Sequence, residues 1–194
     1  MQFLEHPFLQ DPMNIAWAVA ALFAVYVMVF WIKKVIKRKF ENQLLQVVKN
    51  ISVEYKADVY IPDGLGESVC VPFLMLTHYG IIVLNVQNYP GILFGGEKTD
   101  LWTQVFKGKS FKFENPLIYN RNCIQSVNQI ISDSPVFGQV VFTQAGEFPK
   151  GKPEGVCLTF ELLKYIEAHP RIDDLSHSLT KDWKKLTSVC KDRP

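Results

Sequence analysis

Residues 78–116 read HYGIIVLNVQNYPGILFGGEKTDLWTQVFKGKSFKFENP, and the chain is organised around them. His78, Tyr79 and Gly80 form a turn. Ile81, Ile82, Val83 and Leu84 follow as a short apolar run rich in β-branched residues, the pattern of a buried strand. Asn85 and Gln87 then place two polar side chains on one face of the strand end, because side chains alternate along a strand. Tyr89-Pro90-Gly91 is a second turn. Residues 92–94 and 110–113 read as further strands with Trp102 between them. Asn115-Pro116 opens a helix, with Asn as N-cap and Pro at the first helical position.

Outward from this stretch, residues 40–51 read as an amphipathic helix, with Leu44, Val47, Val48 and Ile51 at helical spacing. Residues 53–61 give a first strand, and Pro62-Asp63-Gly64-Leu65-Gly66 a turn. Residues 68–77 give a second strand with Pro72 inside it. Proline cannot donate to a sheet ladder, so this strand is expected at an edge or bulged at Pro72. Downstream, 117–131 is a helix with Leu117, Ile124, Val127 and Ile131 on one face. Residues 136–143 are a strong strand, and Gly146, Pro149, Gly151 and Pro153 mark a loop. A short strand is expected near 156–160, then helices over 160–168 and 175–189, the last capped by Asp173 or Asp174. Alternating elements alone give an α/β or α+β domain.

The segment around 78–116 resembles the nuclease-related domain (NERD) family, which has the restriction-endonuclease-like fold of the PD-(D/E)xK nucleases. The resemblance rests on Gly80-Ile81-Ile82-Val83, Asn85-Val86-Gln87-Asn88, Gly91, Trp102-Thr103-Gln104 and Asn115-Pro116-Leu117. Upstream it takes in Asp58-Val59-Tyr60-Ile61-Pro62 and Leu74-Met75-Leu76-Thr77, and it covers about 40–143 in all. It implies an α-β-β-β-α-β core. It also implies that the family's metal-binding Asp falls at Pro72, its catalytic Glu at Asn85, its Lys at Gln87 and a helix Gln at Tyr119. A phosphodiester-cleaving site needs anionic oxygens for a hard cation such as Mg²⁺, and a cation to stabilise charge on phosphate. Proline brings no ligand, Asn85 only a neutral oxygen, and Gln87 no charge. The resemblance therefore implies a nuclease fold without its metal chemistry. No cofactor is expected, with Mg²⁺ the exception if the site has been rebuilt from Asp58, Asp63, Glu67, Glu97 or Asp100. Glu41, aligned with an acidic residue of the family's first helix, reads as a surface glutamate.

Composition narrows the remaining classes. Cys70, Cys123, Cys157 and Cys190 are far apart and lack CxxC spacing, which reads as reduced thiols rather than zinc ligands or disulfides. His6, His78, His169 and His177 show no ligand spacing. From Phe40 onward the sequence holds 16 Lys or Arg against 17 Asp or Glu. Nucleic-acid binders usually carry a basic surplus, so protein is the expected partner and nucleic acid the alternative. Lys107, Lys109 and Lys112 read as the solvated side of a hairpin.

The N-terminus adds a separate expectation. After a tail over 1–13, residues 14–32 contain no charged side chain, with Trp17 near one end and Phe30 and Trp31 at the other. As a helix the run from Ile15 to Ile32 would span about 27 Å, close to the apolar thickness of a bilayer. Lys33, Lys34, Lys37, Arg38 and Lys39 follow it directly, and no Lys or Arg precedes it. The expectation is a single-pass anchor in the cytoplasmic membrane, with the N-terminus outside and the domain in the cytosol. The basic residues would meet anionic lipid headgroups. Ala20 and Ala24 have the spacing of a small-residue helix contact, which leaves a subunit assembling through this helix as a further alternative. The expected organisation is a tail (1–13), a membrane helix (14–32), a basic segment (33–39), a NERD-like domain (40–169) and a helical extension (170–194).

Overall fold

The computed structural model describes residues 12–64, 66–143, 145–172 and 177–191, with side chains described at 13, at 16–32 and from 44 onward within those ranges. The chain divides into two compact units, Met1–Leu44 and Leu45–Pro194. The first carries most of α1, Pro12–Ile51. Pro12 sits in its first turn, where a missing N–H costs nothing, and no Gly or Pro follows it inside the helix. From Ala16 to Ile32 every side chain but Val27 is exposed, including Trp17 at 72 % and Phe23 at 67 %. Among the described residues no helix is long and apolar enough to cross a membrane. The expected span over 14–32 is therefore not met by the described residues, since the side chains of Asn14 and Ile15 fall outside them.

The second unit is a mixed α/β domain with two sheets. The first has five strands in the order β1-β2-β3-β7-β9: β1 (Ser52–Pro62), β2 (Ser68–Thr77), β3 (Gly80–Gln87), β7 (Val136–Phe142) and β9 (Val156–Leu158). β1, β2 and β3 run antiparallel as a meander, while β3, β7 and β9 run parallel. Parallel strands are covered on both faces, which is why β3 and β7 read as near-continuous apolar runs. The second sheet has the order β6-β5-β4-β8: β4 (Gly91–Phe94), β5 (Leu101–Phe106), β6 (Lys109–Glu114) and β8 (Gly146–Glu147). The expected loop around Gly146 thus holds a short strand, and Trp102 lies in a strand of its own.

Between β6 and β7 runs α2, Pro116–Ile130. The Asn115 side chain accepts from the Leu117 amide at 2.9 Å, capping the helix. Its Nδ2 donates to the carbonyls of Gly96, Glu97 and Thr99, so the cap also ties down the 96–99 loop. On one face of the first sheet Cys123, Val127 and Ile131 meet Val59, Ile61, Leu74, Leu76, Ile81 and Val83. Leu179, Trp183 and Leu186 of the last helix, α4 (His177–Val189), belong to the same cluster. The backbone of Lys191 then exchanges two hydrogen bonds with Tyr60, at 2.8 and 2.9 Å, beside β1. A second cluster joins the sheets through Trp102, which stacks on Phe142 with centroids 5.8 Å apart. A 3-10 turn over Thr159–Glu161 leads into α3, Leu162–Glu167. The Asp173 and Asp174 cap expected for α4 lies outside the described residues.

Pro72 follows the expectation in one respect only. β2 is an interior strand, not an edge. The β2–β3 ladder stops at Phe73, one residue after the proline in the chain, so Pro72 has no partner on that side. On the other side, Asp58 faces Pro72 in register but makes no ladder pair and has φ 50°. Val71 and Leu74, which a regular strand would point to opposite faces, lie in the same core cluster. The missing N–H is thus accommodated by a local irregularity between two partners.

Candidate functional site

Asn85 and Gln87 end β3 on the face that carries Ile81 and Val83, and that face looks toward α2. Asn85 is 2 % exposed. Its Nδ2 donates to the Pro116 carbonyl at 3.4 Å, and its Oδ1 accepts from Gln87 Nε2 at 2.8 Å. The buried Asn85 amide is therefore met on one side by Gln87 and on the other by the first residue of α2, as a buried polar group requires. Beyond them opens a cavity of about 330 Å³ lined by Gln87, Tyr89, Glu114, Asn115, Pro116 and Tyr119. Tyr89 stacks on Phe113, centroids 4.0 Å apart, giving the cavity an aromatic wall.

Tyr119 crosses from α2 to β2, where its hydroxyl donates to the Cys70 carbonyl at 2.5 Å. Burial, with Cys123, Cys70 and Tyr60 near by, pushes the phenol up to about 12, so it is a neutral donor at ordinary pH. The structure thus brings together three of the four expected positions: Asn85, Gln87 and Tyr119. Pro72 does not line the cavity, and β2 reaches the site through the Cys70 carbonyl instead. The side chains of Lys33, Lys34, Lys37, Arg38 and Lys39 lie outside the described residues.

The donor set does not fit a divalent cation. The Asn85 oxygen is taken by Gln87, the Tyr119 hydroxyl by a carbonyl, and Glu114 is the single carboxylate lining the cavity. Hard cations need several oxygen ligands at one point. The five carboxylates weighed from the sequence are dispersed. Asp63 accepts from the Glu67 amide in its turn, Glu97 from the Glu154 amide, and the Asp100 carbonyl from Asn115. Among the described residues no three His, Cys, Asp or Glu side chains gather as a metal group. The start of α2 does not cradle an anion either. Pro116 has no N–H, the Leu117 amide goes to Asn115 Oδ1, and those of Ile118 and Tyr119 go to the Asn115 carbonyl.

Tyr89 and Glu114 were not singled out from the sequence. Glu114 directly precedes the Asn-Pro helix start, and that adjacency was the available signal. Tyr89 reads as an ordinary turn residue until β6 is folded back over it.

Residues 36–143, more than half of the chain, match the nuclease-related domain family. The chain is also similar to an uncharacterized protein of Bacillus anthracis, 27% identical over 159 residues that span 75% of this chain and 70% of that one. No solved structure matches it.

Proposed function

The chain belongs to the nuclease-related domain family, and from that membership we propose that it is a member in which catalysis has given way to binding. The domain would be held at the cytoplasmic membrane by the helix over 14–32 and would offer the β3–α2 cavity to a protein partner. The observation that carries the reading is the Asn85–Gln87 amide pair. It occupies the strand end where the family resemblance implies a Glu and a Lys, and Asn85 bonds with both its amide atoms, to Gln87 and to Pro116. A water nucleophile and a leaving phosphate oxygen would find neither a metal-holding carboxylate pair nor a cation there.

Anchoring draws support from the charge-free sequence over 14–32 and from the exposure of its described side chains on all sides of the helix. A helix apolar all round belongs in a buried core or in lipid. Orientation draws on Lys33, Lys34, Lys37, Arg38 and Lys39 beside the run, which by the positive-inside tendency would put the domain on the cytosolic side. A tether of this kind raises the domain's effective concentration for partners at the same surface. The near balance of charge from Phe40 onward favours protein over nucleic acid as the partner.

Calorimetry with Mg²⁺ and Mn²⁺ on the detergent-solubilised full chain, with plasmid nicking on the same sample, tests the reading. We expect neither metal heat nor nicking. A rebuilt metal-dependent nuclease is the second reading, favoured by Glu114 at the cavity. Metal-dependent nicking that is abolished in Glu114→Gln would establish it and remove ours.

A further inference from the structure

The second sheet ends on β6, Lys109–Glu114, and among the described residues no strand pairs with its outer side. The register fixes which backbone groups face outward. The Asn115 amide donates to the Asp100 carbonyl at 2.9 Å. At the other end, the two-residue turn of Lys107 and Gly108, both with positive φ, closes on the pair Phe106 and Lys109. In an antiparallel ladder hydrogen-bonded pairs alternate with unbonded ones, and both ends of β6 give the same phase. Lys109, Phe111 and Phe113 therefore spend their N–H and C=O on β5, while Ser110, Lys112 and Glu114 turn theirs away from it. Those three residues are exposed, and no hydrogen bond among the described residues uses these groups. The other sheet edges offer less. β8 and β9 are two and three residues long, and Lys191 meets β1 at Tyr60. β6 carries neither a proline nor a register shift, two of the usual devices that blunt an edge.

The side chains of β6 decide what can lie beside it. Lys112 is on one face, between Ser110 and Glu114. Lys109 and Phe111 are on the other, and Phe111 is 48 % exposed. Residues 107–114 hold three lysines and one glutamate, so two copies set edge to edge would confront like charges. A strand with carboxylates opposite Lys109 and Lys112, and an apolar residue opposite Phe111, meets charge with opposite charge and covers the ring.

We propose that β6 takes a fifth strand: an extended, antiparallel, acidic segment of the protein partner, hydrogen-bonded to the backbone of Ser110, Lys112 and Glu114. Backbone bonds supply the affinity of such an added strand, and alternate side chains supply its selectivity. The inference rests on the binding role proposed above and gives that role a track. β6 ends at Glu114, which lines the cavity, so the added segment leads to the cavity mouth. Metal-dependent nicking would remove the binding role itself, whereas failure of the peptides below would remove this edge alone.

The probe is the peptide Thr-Val-Glu-Val-Thr-Glu, amidated and carrying fluorescein at its N-terminus, whose glutamates fall opposite Lys112 and Lys109. Anisotropy is read on the detergent-solubilised full chain in EDTA. We expect saturable binding, weakened about tenfold when both glutamates become lysine, because two cross-strand pairs turn repulsive. N-methylation of the first glutamate and the second threonine, whose amides face β6, should abolish binding, and N-methylation of both valines should spare it. Lys112→Pro removes one outward N–H and no bond to β5, so it should weaken binding at an unchanged urea midpoint. The methylation arm leaves the protein unaltered and decides the matter if the proline variant unfolds. No saturable binding, equal binding of the glutamate and lysine peptides, or equal loss from the two methylation sets overturns the proposal. So does a wild-type chain that sediments as a dimer and becomes a monomer in Lys112→Pro, which would give the edge to a second copy.

Discussion

Gln87 and Asn85, two residues apart on β3, turn their side-chain amides toward each other at 2.8 Å, and Asn85 is closed off from solvent. A negative charge at position 85 would sit opposite the Pro116 carbonyl, which now accepts from the amide. Asn85→Asp replaces that donor by a second acceptor. We expect a loss of about 1–3 kcal/mol in urea unfolding, the cost of a buried polar group deprived of its partner. The double variant Asn85→Glu, Gln87→Lys is expected to leave plasmid nicking absent, since Pro72 still supplies no second carboxylate.

Asn115 joins a helix cap to a loop. Its oxygen holds the Leu117 amide and its nitrogen reaches three carbonyls of the 96–99 segment. Asn115→Ala removes both roles at once. The expected cost exceeds a simple cap, about 2–4 kcal/mol. Asn115→Asp keeps the cap and loses the donors, so denaturant midpoints should rank wild type, Asp, then Ala.

Gly138 lets α2 approach β7. A Cβ at this position would lie 2.2 Å from Ile124 Cδ1 and 2.7 Å from Asn120 Nδ2. Ile124 can rotate, whereas Asn120 is 4 % exposed in the packed interface. Gly138→Ala should cost about 1–3 kcal/mol, and Gly138→Val more, as overpacking does. Combining Gly138→Ala with Ile124→Ala should recover part of the loss, which a double-mutant cycle reads directly.

Stability should fall at alkaline pH. Burial pushes the Cys123 and Cys157 thiols from 9.0 up to about 12. A group whose pKa is raised on folding contributes stability that is whole below its unfolded pKa. That contribution is lost as pH rises toward the folded value, because the unfolded chain releases its proton first. The window is therefore pH 9 to about 12. Urea midpoints measured at about pH 8 and about pH 10.5 should show a drop that is smaller in Cys157→Ala, by more than about 1 kcal/mol.

The parts of the fold that local chemistry dictates were legible in the sequence. β2 runs over Ser68–Thr77 as its apolar pattern indicates, and α2 begins where Asn115-Pro116 predicts. The second sheet was less visible. β8 is only Gly146–Glu147, among residues that look like loop, and it exists because β4 pairs with it. The site was half legible. Asn85 and Gln87 follow from strand alternation, and Tyr119 from the family resemblance. Tyr89 and Glu114 needed the return of β6 over the turn. The neighbourhood of Cys70 and Cys123 needed the crossing of α2 over β2, which no local spacing encodes. The irregularity at Pro72 was foreseeable from the ring, but its place inside the sheet was not.

The last helix fills the same core as the first three strands, and Lys191 is hydrogen-bonded beside β1. The domain's earliest strand therefore waits for its latest residues during synthesis. While the ribosome still shelters the C-terminal stretch, Leu179, Trp183 and Leu186 are missing and their side of the sheet lies open. The N-terminal helix has by then long emerged. A stop codon placed just before His177 should yield a product that is consumed by proteolysis.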